Sequence, residues 1–73
     1  MEKQVIEGTS MQITVEFKAA EGQISIFADK IEYYLGTLRF FSLNKEILRI
    51  TLKKEYETIY EALDKTGINV TGY

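Results

Sequence analysis

Cysteine, histidine, proline and tryptophan are all missing from this 73-residue chain. Without a thiolate or an imidazole it cannot build a zinc finger, a haem or iron–sulfur site, a Cys–His nucleophile pair or a Ser–His–Asp triad. The lack of cysteine also removes disulfides, a common staple of small domains. Long apolar runs are missing too. No stretch approaches the ~20 residues of a membrane-spanning helix, and the opening Met1-Glu2-Lys3-Gln4-Val5-Ile6-Glu7 lacks the apolar core of a secretion signal. These absences lead to the expectation of a cytoplasmic protein that is not an enzyme and holds no metal or cofactor.

An excess of one charge is also absent. Nine Lys and Arg face eleven Asp and Glu, a net charge of −2 with a pI near 5.1. Proteins that grip nucleic acid through its phosphates carry a basic surplus, so the balance weighs against that partner. What the chain does have is 45% hydrophobic and 27% charged residues, an ordinary globular composition. A single domain of this length buries only about 60% of its unfolded surface. With no disulfide to help, burying a face against another chain is a natural remedy, so a homo-oligomer is expected.

Along the sequence, residues 1–10 read as a tail or a short edge strand, with one domain over 11–73. Residues 12–18 alternate strictly, Ile13, Val15 and Phe17 to one side and Thr14, Glu16 and Lys18 to the other, which predicts a strand. Two alternating runs within 37–53, separated by polar Asn44-Lys45-Glu46, predict a β-hairpin. Tyr56, Ile59, Tyr60 and Leu63 fall at helical spacing, so a helix is expected over 54–65, ended by Gly67. Ile68 and Val70 suit a last strand.

Residues 23–35 decide the fold. As a helix, Ile24, Phe27, Ala28, Ile31, Tyr34 and Leu35 form one stripe, with Ser25 as cap and Gly36 as stop. As strands, Ile24-Ile26-Ala28 and Ile31-Tyr33-Leu35 each alternate, and the β-branched and aromatic content agrees. Ala28-Asp29-Lys30 lacks the residues of a tight turn between two strands, which favours the helix. The expected fold is therefore α+β: a four-stranded antiparallel sheet with two helices on one face, in the ferredoxin-like order βαββαβ. The alternative is a β-meander covered by one C-terminal helix over 54–65.

The order βαββαβ is shared with RNA-recognition modules, but their paired aromatics on the central strands have no counterpart here. Arg39 and Arg49 fall on the outward side of the hairpin, where they could clamp an anion or be neutralised by Glu16 or Glu46. If Leu38 and Phe40 face the core, Phe41 and Leu43 face away from it. Together with Tyr33 and Ile26, left over from the helical stripe, they suggest a second apolar surface. The partner-binding candidates are accordingly Arg39, Phe41, Leu43 and Arg49. Five tyrosines (33, 34, 56, 60 and 73) fit a surface that mixes packing with hydrogen bonding. The carboxylates are scattered over outer faces, with no paired acid and base in a cleft and no calcium-loop spacing.

The chain resembles ACT-type ligand-sensing domains in its expected strand order, in Gly22 after the first strand and in the segment Ala62-Leu63-Asp64-Lys65-Thr66-Gly67-Ile68-Asn69-Val70. The proline that often accompanies that glycine is missing. The resemblance implies a small-ligand pocket between the 19–22 loop and a neighbouring subunit. The leading expectation is instead a non-enzymatic inhibitor or adaptor that binds itself and another protein, of the kind a phage or plasmid could encode.

Overall fold

The computed structural model describes residues 2–17 and 21–72. The Phe17 side chain, Lys18, Ala19, Ala20 and Tyr73, on which some of the expectations above rest, lie outside the described residues. The elements run β1 (Gln4–Phe17), β2 (Gly22–Tyr34), β3 (Thr37–Ser42), β4 (Lys45–Thr51), α1 (Ile59–Lys65) and β5 (Ile68–Thr71). The strands form one five-stranded sheet in the order β4-β3-β2-β1-β5, antiparallel throughout.

This corrects the ferredoxin-like α+β expectation: the protein is mostly sheet with one short helix. Residues 23–35, expected to be helical, lie almost wholly in β2. The reason is a change of phase within that strand. Ala28 points into the core, and the next core residue is Ile31, three positions on, followed by Tyr33. The strand's alternation slips across Asp29 and Lys30, where the β1–β2 register also shifts between Glu7 and Met11. A period of two broken once in this way yields the spacing of a helix. The missing turn residues at 28–30 were no obstacle, because the strand runs through that point without reversing. Of the supposed helical stripe, Ala28 and Ile31 are buried, whereas Phe27, Tyr34 and Leu35 are exposed.

β1 makes a similar slip. Ile6 is buried in its first half and Met11, Ile13 and Val15 in its second, with Ser10 at φ 53 between them. The two longest strands therefore bend together, which lets the sheet curve around α1.

α1 begins at Ile59, later than expected. Thr58 is its N-cap, its Oγ1 accepting from the Glu61 N–H at 3.1 Å. Residues 54–57 are instead irregular, bent chain held by side chains of the sheet. The Tyr33 hydroxyl accepts from Tyr56 N–H at 2.6 Å. The Gln4 amide donates to Glu57 C=O at 2.6 Å and accepts from Ile59 N–H at 2.7 Å. These bonds satisfy backbone groups that a longer helix would have paired internally. Ile59, Ala62 and Leu63 then close over Met11, Ile13, Ile31, Tyr33, Leu38 and Phe40, all essentially inaccessible to solvent. Gly67, at φ 73, turns the chain into β5, which pairs with β1.

Candidate interaction surface

The face of the sheet turned away from α1 carries the predicted site. Strand register places Glu32, Arg39 and Arg49 in one row across β2, β3 and β4, and Lys30, Phe41 and Glu46 in the next. Arg39, Phe41 and Arg49 thus share one face. Leu43 sits in the turn that ends the β3–β4 hairpin, two residues beyond Phe41 and at the far end of β3 from the depression that both arginines line. Tyr33 and Ile26, expected to enlarge this surface, do not: Tyr33 is buried in the core and Ile26 packs against it.

The arginines are not free to clamp an anion. Glu46 lies between them: its Oε1 accepts from Arg39 Nε at 2.5 Å and from Arg49 Nη2 at 3.1 Å. These hydrogen bonds, Arg39's first and Arg49's second, hold the Glu46 carboxyl below its ordinary pKa. The bond to Glu46 likewise raises that of Arg39. Glu16, the other acid considered as a partner, is on β1 opposite Gln23.

Glu32 is the residue that sequence reasoning missed. Only 7% exposed, it is ringed by Lys30 at 3.4 Å, Lys3 at 3.7 Å and Arg39 at 3.8 Å. A carboxylate with so little water needs such cations around it. A strand reading of 28–34 would have placed Lys30 and Glu32 on neighbouring rows and revealed the cluster. Phe41 lies beneath two of these cations, with Lys30 Nζ 4.6 Å and the Arg39 guanidinium 5.3 Å from its ring centre. The ring is fixed, and the charges above it are already shared with carboxylates.

Of the exposed large apolar side chains, the two most exposed stand in the turns at the two ends of β3. Leu43 is 84% exposed and stands at φ 52, followed by Asn44 at φ 64. Two successive positive φ values make the tight reversal that suits antiparallel strands, a turn that favours glycine and asparagine. Its placement is fixed by the Leu43 N–H, which donates to Asp29 Oδ2 at 2.9 Å. At the other end of β3, Leu35 is 63% exposed at φ 48 and is followed by Gly36 at φ 74. Beside it, Tyr34, Leu35, Thr37, Arg39 and Arg49 line a shallow depression of about 290 Å³.

Among the described residues, no group of three or more acidic side chains is arranged to hold a metal ion, and no helix is long and apolar enough to cross a membrane. Fold and surface define a small antiparallel β-sheet domain backed by one helix, with a charge-paired outer face edged by exposed leucines. The chain matches no protein-family model, and neither curated proteins nor solved structures yield a significant match. The βαββαβ order on which the ACT-type resemblance partly rested is absent, and Gly22 and the 62–70 segment alone do not sustain it.

Proposed function

We propose that the protein is a cytoplasmic, non-enzymatic binding module that self-associates and captures another protein through the outer face of its β3–β4 hairpin. Arg39, Phe41, Leu43 and Arg49 form the contact, and the effect on the partner is occlusion or bridging. The observation that carries this reading is Leu43, a large apolar side chain that is 84% exposed and placed where its backbone conformation is unfavourable. It contributes little to the fold and adds strain, the combination that points to a role outside the fold. Further along the same hairpin, Phe41 offers an aromatic surface, and Arg39 and Arg49 offer planar guanidiniums held in place by Glu46. Preset aromatic and arginine groups lose little entropy on binding and suit an interface centre.

The test compares protein captured from the native host by the wild type, by Leu43→Lys and by Phe41→Asp, with far-UV circular dichroism as the check on folding. The reading expects both variants to keep the native spectrum and to lose the same captured protein. Equal capture by wild type and Leu43→Lys would refute it, and because Leu43 is fully outside the core this arm holds even if Phe41→Asp fails to fold.

A further inference from the structure

β2 is longer than its neighbour on one side. β1 pairs with it from Gly22 to Tyr33, but β3 pairs with it only from Lys30 to Tyr34. Among the described residues, no strand covers the other edge of 22–28, so alternate N–H and C=O groups of that segment face outward unpaired. The step begins where Asp29 anchors the hairpin end through Leu43 N–H.

Free edges are ordinarily protected, and the rest of this sheet is. β4 carries Lys45, Glu46 and Arg49 and a register shift between Phe40 and Phe41 in its pairing with β3. β5 spans only Ile68–Thr71. Along the first half of β1, Gln4 binds the 57–59 segment with its side chain and Glu7 places an exposed charge. The β2 edge has none of these devices. Its sequence, Gly22-Gln23-Ile24-Ser25-Ile26-Phe27-Ala28, has no charge and no proline, and Phe27 is 62% exposed.

We propose that this edge pairs antiparallel with the same edge of a second copy, joining two sheets into one across a two-fold axis at Ile26. The segment is self-complementary in that register. Ile24 meets Ala28 of the second copy on the inner side, and Ser25 meets its Phe27 on the outer side. Ile26 meets itself, and the pairing stops at Ala28, short of Asp29, which anchors the hairpin end through Leu43 N–H. Every pair matches apolar with apolar or places a small or polar group opposite, and no like charges are brought together. The half-exposed Ile24 and partly buried Ile26 become interior, extending the core across the joint. The edge is used once by each copy, so the assembly closes as a dimer. This names the surface for the self-association proposed above and does not depend on the hairpin contact.

The register gives a charge-swap test on exposed positions. Ser25→Lys with Phe27→Lys sets lysine against lysine across the joint and should leave only monomer by analytical ultracentrifugation and native mass spectrometry. Ser25→Lys with Phe27→Glu sets lysine against glutamate and should restore the dimer. Wild-type dimer is expected to protect amides within 22–28 from hydrogen exchange in a concentration-dependent way. A wild-type monomer at the concentrations used for NMR, open-ended higher assembly, or a dimer that survives the double lysine variant would each overturn the pairing. None of these outcomes bears on capture through Leu43, which is read separately.

Discussion

Leu43 and Leu35 occupy backbone conformations that an L-residue with a large side chain visits at a cost of roughly 1 kcal/mol. Replacing Leu43 by asparagine should relieve that strain and raise stability by about 0.5–1 kcal/mol. Urea denaturation would show this as a higher midpoint with an unchanged slope, and partner capture should fall at the same time. A stabilised variant that captures normally would mean that the exposed leucine serves no contact. Glu32 is the converse case, a residue whose surroundings are built for it. Glu32→Gln leaves Lys3, Lys30 and Arg39 facing one another without their shared carboxylate. It should lower stability by about 1–3 kcal/mol, with the loss reduced at high salt.

Glu46 gives the residue-level pH dependence. Its carboxyl is held below the ordinary value in the folded protein by the bonds from Arg39 and Arg49. The unfolded chain therefore takes up this proton first as pH falls. The stabilisation is complete above the ordinary carboxylate range and disappears as pH drops through the lowered folded value. Urea midpoints measured from neutral pH into acid should fall more steeply for the wild type than for Glu46→Gln, the two curves converging at the acid end. Parallel curves would show that the Arg39–Glu46–Arg49 bridge contributes nothing to stability.

At the scale of elements, what could be read from the sequence depended on whether the alternation was unbroken. Residues 12–17, 37–42 and 48–51 keep period two and are strand as expected. The hairpin reverses at Leu43-Asn44, one residue ahead of the Asn44-Lys45-Glu46 stop, and Lys45 and Glu46 belong to β4, which slips phase at Ile47. β2 was lost because one slip at 29–30 gives Ala28 and Ile31 a helical spacing. With it went the placement of Lys30 and Glu32, and hence the cluster beneath the candidate site. Phe41, Arg39 and Arg49 were placed on one face correctly because the hairpin alone fixes them. The helix was recognised but begun too early: Tyr56 packs on the core from irregular chain ahead of the helix, and its spacing to Ile59 carried no helical meaning. The true start was legible in Thr58-Ile59-Tyr60-Glu61, a serine or threonine followed three residues later by an acid. Thr58→Ala should cost about 1 kcal/mol, measured by thermal melting. A smaller loss would mean that the Gln4 and Tyr33 bonds, not the cap, set where the helix begins.

For the whole molecule, one helix of seven residues covers a five-stranded sheet. Stability then rests on a thin layer of apolar contacts between Ile59, Ala62 and Leu63 and the inner face. Phe40 lies at the centre of that face with no solvent exposure. Phe40→Ala should cost about 3–5 kcal/mol, as much as the core of a domain this small supplies. The variant is expected to be unfolded at room temperature by circular dichroism, unless assembly contributes stability of its own. The two proposals use different surfaces, an unprotected strand edge for a second copy and a hairpin ending in exposed leucine for another protein.

Native mass spectrometry of gently purified protein tests that claim most directly. The account predicts a ligand-free dimer, or a complex whose extra mass is another polypeptide. A bare monomer, or a monomer that retains a non-protein mass, would contradict it.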